Sequence, residues 1–324
     1  MDSPLKKYLL HFRDIIKIVP YLSPALTIPL LWKWVLSFNI NFGKASYSYC
    51  KKKHRFILDY LEDRYAYLIP KTLSAQYTSN AARALPIWVF WYQGEEHMPP
   101  LVRLCIKSIR RNSCDRPVYV LDKNNLSNYV DIPTYIYEKL EKGIIKMACF
   151  SDIVRLSLLA EHGGHWLDAT VFVNKPLRED ELNPYFESIK MPALEKGTIS
   201  DYRWAGFCLY AHPGATTMCC FRDIMLAYFR DGHRRIIDYL LIDYTFQMMY
   251  EKCEDFRQLI DSRPRTNAYT YSLVEVLNEP YQPSLWEAWK GQQFFKLSWK
   301  IRIEDSESSF FHHLMEECGL NRNA

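Results

Sequence analysis

The sequence predicts an α/β protein in which helices flank a mixed, largely parallel β-sheet, with a helical extension at the N-terminus. Three observations support this fold class. The composition, 48% hydrophobic and 24% charged, is that of a folded globular protein. Short apolar runs alternate with helical patterns from residue 86 onward. Polar residues follow several of these runs, as they do at the carboxyl ends of parallel strands.

The N-terminal extension is predicted to span residues 1–83, and a single α/β domain residues 84–324. The longest uncharged stretch of the extension, residues 18–32, contains three prolines and is shorter than the roughly 20 apolar residues of a membrane-spanning helix. No small-residue cleavage site follows it, so we expect no signal peptide. With the basic residues around it, the extension fits two interpretations. Residues 1–56 contact an anionic membrane surface peripherally, or the extension packs on the domain with solvated lysines.

The first predicted unit of the domain is a strand, a helix and a second strand. Residues 87–91 form a short apolar and aromatic run that is typical of a buried strand. Pro99-Pro100 opens a helix with apolar residues at helical spacing, and residues 117–121 form the second strand. This order has the size of a parallel β-α-β unit. Another helix is predicted over residues 131–142.

Two glycines divide the next segment. Ser151 is predicted to cap a helix that ends at Gly163-Gly164, because glycine adopts the left-handed backbone of a helix end. Strands over residues 165–168 and 171–173 follow, which places Asp168 at the carboxyl end of a strand, where α/β sheets bind ligands. The remaining predicted elements are a strand over residues 204–211, helices over 216–230 and 234–252, and a strand over 294–300.

The residues with the clearest chemistry are Asp152, Arg155 and Asp168. Asp152 and Arg155 share a helix face, where a guanidinium can bind phosphate and a carboxylate can bind a sugar hydroxyl. A carboxylate after a glycine turn can hold Mg²⁺ or Mn²⁺, which would neutralise a departing diphosphate. Taken singly, Asp152 and Arg155 are better explained by a surface ion pair and the two glycines by a helix cap, and a turn residue is the alternative for Asp168. In combination they favour a functional site.

The motif Asp152-x-x-Arg155, Leu158-Leu159 and Gly163-Gly164-x-Trp166-x-Asp168-Ala169-Thr170 resembles the capsular polysaccharide synthesis proteins, relatives of glycosyltransferase family 32. Four further segments are similar to that family: Trp88-x-x-Trp91-x-Gln93-Gly94, Val130-Asp131-Ile132-Pro133, Ile237-Asp238-Tyr239-x-x-Ile242-Asp243-Tyr244 and Lys296-Leu297-Ser298-Trp299-Lys300. The resemblance covers roughly residues 85–300. It depends on the order and spacing of the segments, since each one alone is short.

The resemblance implies a GT-A-like, Rossmann-related fold and a glycosyltransferase of the hexosyltransferase type that retains anomeric configuration. The donor would be a nucleotide-diphosphosugar, and the cofactor Mn²⁺ or Mg²⁺. The acceptor would be a growing glycan or a lipid-linked oligosaccharide, in the biosynthesis of capsular or other surface polysaccharide.

The resemblance also assigns site residues. The implied donor-binding residues are Trp91, Gln93, Asp152, Arg155, Gly164 and Asp168. Among them, Asp152, Arg155 and Asp168 form the implied catalytic set, with Asp152 on the donor sugar and Arg155 on sugar or phosphate. Trp91 and Gln93, at the end of the first strand, would lie near the nucleobase.

The implied metal ligands are Asp168 and Thr170, at the two acidic positions of the family's Asp-x-Asp motif. A hydroxyl is a weaker metal ligand than a carboxylate, so threonine in place of the second acid predicts weakened metal binding. The C-terminal candidates for a further ligand are Ser298, His312 and His313. For the two histidines a solvated loop is the alternative.

The predicted acceptor contacts are Trp204 and Asp243. Asp238 and Asp243 are expected on different faces of one helix, with one facing the cleft and the other facing water. We assign the substrate contact to Asp243. Trp204 could form a stacking platform with Phe207, although core packing is the expected role of Phe207.

Charge and cysteine content restrict partner and compartment. A net charge of +4, without a long basic stripe or zinc-finger spacing, argues against nucleic-acid binding. The nine cysteines are odd in number and lack CxxC spacing, which predicts no disulfide framework and a reducing compartment. We therefore expect a cytoplasmic protein, at the inner face of the cell membrane if its extension contacts lipid.

Two other functions fit the same residues. Thr170 in place of a second acid is compatible with a non-catalytic module that binds sugar nucleotides or glycans and has lost its metal site. A phosphotransferase acting on sugars is the other alternative, and it would release a nucleoside monophosphate instead of a diphosphate.

Overall fold

The computed structural model describes residues 43–75, 84–180, 182–193, 197–233, 235–304 and 306–320. In chain order, its α-helices are α1 (Gly43–Tyr65), α2 (Pro100–Arg111), α3 (Thr134–Glu141), α4 (Met147–His162), α5 (Thr216–Arg230), α6 (Leu241–Lys252), α7 (Glu254–Asp261), α8 (Ser272–Val276), α9 (Pro283–Trp289) and α10 (Phe310–Glu317). Its strands are β1 (Ile87–Phe90), β2 (Val118–Leu121), β3 (Gly164–Leu167), β4 (Val171–Val173), β5 (Glu187–Ser188), β6 (Cys208–Ala211) and β7 (Phe294–Lys296). Short 3₁₀ turns lie at Ala66–Leu68, Glu95–His97 and Leu126–Asn128.

A mixed sheet of five strands forms the centre of the protein, in the order β2-β1-β3-β6-β5. β1 is parallel to β2 on one side and to β3 on the other, whereas β6 is antiparallel to both β3 and β5. β4 and β7 form a separate antiparallel pair. The prediction of an α/β protein with a mixed sheet and flanking helices is confirmed.

The side chains of β1 alternate between two cores, and all four of its residues are buried. Trp88 and Phe90 pack with α1, α4, α5 and α6, and Ile87 and Val89 pack with α2. A third core joins α2 to the β4–β7 pair and to α8, α9 and α10. Because helices cover both faces, β1 is a continuous apolar run instead of an alternating one.

The glycine pair determines where β3 begins, and therefore where Asp168 lies. Gly163 has a φ of 63° and Gly164 a φ of 98°, in the left-handed region that favours glycine. A β-carbon would lie 2.5 Å from the Pro213 nitrogen at Gly163, and 2.2 Å from the Pro86 carbonyl oxygen at Gly164. The prediction that this pair ends the preceding helix is confirmed, and no larger residue fits this packing.

Several predicted boundaries are wrong. α4 begins at Met147, so Ser151 lies inside the helix instead of capping it. Phe150 is fully buried, and this core packing extends the helix upstream of the capping signal. The predicted elements over 204–211, 234–252 and 294–300 shorten to β6, α6 and β7. Trp204 and Leu297 are buried without belonging to a strand, so apolar character alone overstates the length of an element.

The part of the extension that the structure describes packs on the α/β domain. Leu61 of α1 is fully buried in the core that it shares with α6. Two of the basic residues on α1 pair with acids of the domain while their side chains stay partly exposed. Lys53 forms an ion pair with Asp238, and Arg55 lies 2.7 Å from Glu251.

The predicted membrane contact of residues 1–56 falls largely on residues 1–42, outside the described residues, and it stays a prediction. The division of the chain after residue 83 also stays a prediction. Within the described ranges, no helix combines the length and the apolar character that crossing a membrane requires. The nine cysteines are free thiols.

Candidate active site

A cleft with a volume of about 670 Å³ lies where β1 and β3 end. The residues that follow these strands line it, together with segments before β6, before α6 and at the end of β7. Because β1 and β3 are parallel, their carboxyl ends meet at one edge of the sheet, where α/β proteins commonly bind ligands. The volume is in the range of small-molecule sites.

Asp168 directly follows β3, and both of its carboxylate oxygens accept hydrogen bonds. Oδ1 accepts from Trp166 Nε1 at 2.9 Å and from Arg155 Nη2 at 3.2 Å, and Oδ2 accepts from Lys296 Nζ at 2.7 Å. Burial by itself would raise the pKa of Asp168. The Lys296 ammonium and the Arg155 guanidinium outweigh this effect and lower the pKa to about 2. Asp168 is therefore ionised near neutral pH.

Arg155 lies between three acceptors. Its Nη2 is 3.2 Å from an oxygen of both Asp152 and Asp168, and its Nη1 donates to the Gly206 carbonyl. The guanidinium carbon lies 5.1 Å from the centre of the Trp166 ring. The three-residue spacing does place Asp152 and Arg155 together, but the guanidinium is already engaged by two carboxylates. Its predicted contact with donor phosphate stays a prediction.

Two further carboxyl groups adjoin Arg155 and differ in charge from Asp168. Burial raises the pKa of Asp152 to about 7, although the positive charge of Arg155 opposes the shift. Burial also raises the pKa of Asp243 to about 6, against the hydrogen bond that Trp204 Nε1 donates to its Oδ1 at 2.9 Å. These carboxyls therefore exchange protons close to neutral pH.

Lys296 is the cleft residue that sequence reasoning missed. Its Nζ lies 2.7 Å from Asp168 Oδ2 and 2.8 Å from Thr170 Oγ1. The register of the β4–β7 pair aligns Lys296 with Val171, and the Leu297 N–H donates to the Thr170 carbonyl at 2.8 Å. One signal could have found it. A lysine that ends a short, otherwise apolar strand requires a polar partner.

The donors around Asp168 do not fit a resident divalent cation. Both carboxylate oxygens accept from side chains, and the Thr170 hydroxyl contacts Lys296. The adjacent guanidinium and ammonium would repel a metal ion at this position. Among the described residues, no three His, Cys, Asp or Glu side chains are grouped to hold a metal. Coordination of Mn²⁺ or Mg²⁺ by Asp168 and Thr170 stays a prediction. The contacts of these two side chains with Lys296 and Arg155 disagree with it.

The candidates for a further metal ligand are not among the residues that line the cleft. His312 and His313 lie on α10, where His312 Nε2 is 3.1 Å from Glu316 Oε1 and the His313 ring stacks on Tyr281 at 3.5 Å. Both histidines are therefore helical, and neither lies in a solvated loop. Ser298 follows β7 but does not line the cleft. The next two residues, Trp299 and Lys300, do line it.

The residues that follow β1 adjoin the candidate site, and their predicted place near a nucleobase stays a prediction. Trp91 and Gln93 both line the cleft, and the Trp91 ring meets the Trp299 ring edge to face at 6.1 Å. Trp91 Nε1 and Arg155 Nε are buried donors without a hydrogen-bond partner in the described part of the chain. An unsatisfied buried donor is costly, and these two nitrogens are exceptions to the usual pairing of buried polar groups.

Two predicted contacts lie away from the cleft. Gly164 begins β3, at the opposite end of the strand from Asp168. Trp204 is 2% exposed and belongs to the core; it acts on the cleft through its hydrogen bond to Asp243. Phe207, for which core packing was expected, is partly buried against the core and also lines the cleft. The Trp204 ring lies on the covered side of this loop, which a residue pattern does not show.

The two acids near α6 do not share a helix. α6 begins at Leu241, so Asp238 precedes it and pairs with Lys53 of α1. Asp243 lies in the first turn of α6 and lines the cleft. The predicted assignment of the cleft position to Asp243 agrees with this placement, but the reason given for it, two faces of one helix, is wrong.

Exposed apolar side chains surround the polar centre of the cleft. The large apolar residues that line it and remain exposed are Met147, Tyr239, Leu240 and Trp299. Tyr239 is 71% exposed and Trp299 is 51% exposed. Sequence analysis quoted both within family-like segments but gave them no role. Rings of this kind beside a polar cleft are suited to stacking on flat ligand faces.

Three comparisons relate the chain to known proteins. The family model described as "Capsular polysaccharide synthesis protein" matches residues 38–314. The chain is 33% identical over 141 residues to "O-glycosyltransferase braB" of Annulohypoxylon truncatum, a match that covers 41% of this chain and only 31% of that relative's length. Among solved structures it is similar to "PaToxG Glycosyltransferase", with 14% identity, coverage of 66% of this chain and 83% of that chain, and a TM-score of 0.37.

Proposed function

The chain belongs to the family of capsular polysaccharide synthesis proteins, and from this premise we propose that it is a glycosyltransferase that moves a sugar from a nucleotide-diphosphosugar to a growing glycan. One observation carries the proposal. Asp152, Arg155 and Asp168 converge in the cleft at the carboxyl ends of β1 and β3, beside basic and aromatic side chains. The name of the matched relative, an O-glycosyltransferase, supports the same proposal.

The charge of the cleft suits a diphosphate. The cationic side chains that line it are Lys146, Arg155, Lys296 and Lys300, against three aspartates. Four cations against three carboxyl groups leave an excess of positive charge. The pKa of Asp152, raised to about 7, adds to this excess near neutral pH. Such a surface attracts an anionic ligand and orients its phosphates towards the basic groups.

We assign the donor as follows. The nucleobase lies near Trp91 and Gln93, where the Trp91 ring offers an aromatic face and the Gln93 amide can donate and accept hydrogen bonds. The donor sugar lies near Asp152, whose carboxyl can accept from a sugar hydroxyl. The diphosphate lies near Asp168 and the adjacent lysine. This arrangement keeps the bond to be broken close to the positive charges.

We assign the acceptor to the exposed side of the cleft. Trp299 and Tyr239 offer ring faces to a glycan, and Asp243 offers a carboxyl with a pKa of about 6. The acceptor class that fits is a glycan or a lipid-linked oligosaccharide. We place the reaction at the inner face of the cell membrane as part of the same proposal, with the basic N-terminal extension in contact with anionic lipid.

In the reaction, the bond between the anomeric carbon and the diphosphate oxygen breaks, and its electron pair leaves on the diphosphate. A bond forms between the acceptor hydroxyl oxygen and the same carbon. The hydroxyl proton passes to the departing diphosphate, so atoms and charge balance. If the donor hexose keeps its anomeric configuration, this route requires no side chain as a general base. The contribution of the chain is positioning and charge stabilisation.

The test begins with a thermal-shift screen of the purified protein against UDP-, GDP- and CMP-sugars, with and without Mn²⁺. A UDP- or GDP-sugar that stabilises the protein is then followed for slow hydrolysis to its nucleoside diphosphate, and a CMP-sugar for hydrolysis to CMP. We expect Asp168→Asn to reduce turnover on the order of a hundredfold or more while retaining the circular dichroism spectrum of the wild type. Asp223→Asn is the matched control, because Asp223 forms an ion pair with Arg222 outside the cleft.

The alternatives give different outcomes. Donor binding without turnover in any arm supports a non-catalytic binding module instead. Release of a nucleoside monophosphate from a UDP- or GDP-sugar supports a phosphotransferase. If no nucleotide sugar shifts the melting temperature or is turned over, the proposal is wrong.

A further inference from the structure

Resting on the proposed transfer from a nucleotide-diphosphosugar, we propose that the Lys296 ammonium takes the place of a divalent cation: it binds the donor diphosphate beside Asp168 and Thr170, and transfer requires neither Mn²⁺ nor Mg²⁺. The ammonium lies 2.7 Å from Asp168 and 2.8 Å from Thr170, the two residues for which metal coordination was predicted. It therefore occupies the space between the oxygens that a metal ion would need.

The geometry leaves the ammonium one donor for the substrate. An ammonium has three N–H groups, and the contacts to Asp168 and Thr170 use two of them. The side chain of Lys296 is 21% exposed and lines the cleft, so the third N–H can reach a phosphate oxygen. The ring of Phe207, with its centre 5.1 Å from Nζ, adds a favourable contact for the charge.

The backbone fixes this position without a ligand. Lys296 ends β7, its N–H donates to the Thr270 carbonyl at 2.7 Å, and the next N–H donates to the Thr170 carbonyl at 2.8 Å. Asp168 and Thr170 lie directly before β4, the partner strand of β7. The acid, the hydroxyl and the lysine therefore belong to one rigid strand pair, and the charge is in place before the donor binds.

A metal ion and this ammonium would compete for the same oxygens. For a divalent cation to bind between Asp168 and Thr170, Lys296 would have to withdraw from both. The Arg155 guanidinium, 3.2 Å from the other oxygen of Asp168, would still oppose the metal charge. With Lys296 in place, negative charge that develops on the departing diphosphate meets a fixed positive charge and does not require a metal ion.

The experiment measures binding of UDP and GDP, the diphosphate products of two donor classes, by isothermal titration calorimetry in EDTA and in MnCl₂. Hydrolysis of UDP- and GDP-sugars is followed in the same two buffers. For the wild type we expect affinity and turnover in EDTA to stay within about twofold of the values in Mn²⁺. We expect Lys296→Met, which keeps a flexible apolar stem, to weaken nucleotide binding in EDTA roughly tenfold to a hundredfold, the range for a hydrogen bond to a charged group.

Two further variants separate charge from folding. Lys296→Arg retains the positive charge and should recover most of the affinity that Lys296→Met loses. Lys290→Met removes a lysine that is 72% exposed outside the cleft and should bind nucleotide like the wild type. Circular dichroism checks the fold of each variant. The comparison of EDTA with Mn²⁺ on the wild type depends on no variant.

The outcomes distinguish this inference from the proposed function. Binding or turnover that appears only with Mn²⁺ overturns the role of Lys296 and leaves the glycosyltransferase proposal standing. A folded Lys296→Met variant with wild-type affinity in EDTA also overturns it. If neither nucleotide binds and no donor is hydrolysed in either buffer, the proposed function fails, and this inference fails with it.

Discussion

The two halves of the cleft contain similar carboxyl groups whose pKa values are shifted in opposite directions. Asp168, Thr170 and Lys296 form the lysine-paired half, in which the pKa of the Asp168 carboxyl is lowered to about 2. Asp152 and Asp243 form the acid-rich half, in which burial raises the carboxyl pKa values to about 7 and about 6. Burial alone would raise all three.

The difference shows that the neighbouring cations decide the direction in which burial-shifted carboxyl pKa values move in this cleft. Arg155 contacts both halves but counteracts burial fully only at Asp168, where Lys296 adds a second positive charge. One half is therefore suited to hold a fixed charge against a diphosphate. The other is suited to donate and accept protons near neutral pH, where sugar hydroxyls bind.

The largest expected effect comes from removing the residue that joins the halves. Arg155→Ala leaves the buried Asp152 carboxyl and Asp168 without their shared guanidinium. Loss of one partner from a buried ion pair typically costs about 3–5 kcal/mol of unfolding free energy. We expect a decrease of this size in urea denaturation. The matched control is Arg257→Ala, which breaks the exposed pair with Glu254 and should cost much less.

Arg155→Ala could instead lose no more stability than the Arg257→Ala control and bind nucleotide poorly. That outcome would contradict the structural role given to Arg155 in the comparison of the two halves. Arg155 then acts as a free phosphate ligand, as the sequence predicts, and not as the link between the two halves.

The next effect is a pH dependence of opposite sign in the two halves. Because the pKa of Asp243 is raised from 3.8 to about 6, the folded protein retains that proton longer than the unfolded chain, and its stability falls as pH rises across this window. Asp243→Asn removes this loss. The melting temperature of the variant minus that of the wild type should therefore increase as pH rises from 4 to 6.

Asp168 should behave in the reverse manner. Its pKa is lowered from 3.8 to about 2, so its contribution to stability is complete above the unfolded value and is lost as pH falls towards 2. Asp168→Asn should therefore be most destabilised relative to the wild type above pH 4 and less so below it. Thermal melts between pH 3 and pH 8 measure both slopes. Slopes of the same sign would remove the distinction between the halves.

The smallest effect comes from a matched pair of tryptophans. Each donates from Nε1 to a carboxyl at 2.9 Å, Trp166 to Asp168 and Trp204 to Asp243. Trp204→Phe should cost about 1–2 kcal/mol in unfolding free energy, because it removes a hydrogen bond from a carboxyl that lacks an adjoining lysine. Trp166→Phe should cost less, since Asp168 keeps Lys296 and Arg155. Chemical denaturation compares them, and the reverse order would contradict our account of the two halves.

Local patterns in the sequence were sufficient to predict the position of much of this site along the chain. The apolar run of β1 and the glycine pair before β3 predict where those strands lie, and therefore that Asp168 follows a strand end. The spacing of Asp152 and Arg155 predicts a shared face because the period of a helix is fixed. These predictions concern residues close together in the chain, where backbone geometry leaves few alternatives.

The tertiary structure decided what those residues contact. Lys296 is separated from Asp168 by 128 positions, and only the pairing of β7 with β4 brings them together. Trp204 and Asp243 meet across 39 positions, and core packing around the Trp204 ring orients that contact. Periodicity and capping signals describe short-range backbone geometry, whereas strand register and core packing depend on distant parts of the chain folding against each other. The sequence alone therefore determined where the carboxylates lie, and the fold determined their charges.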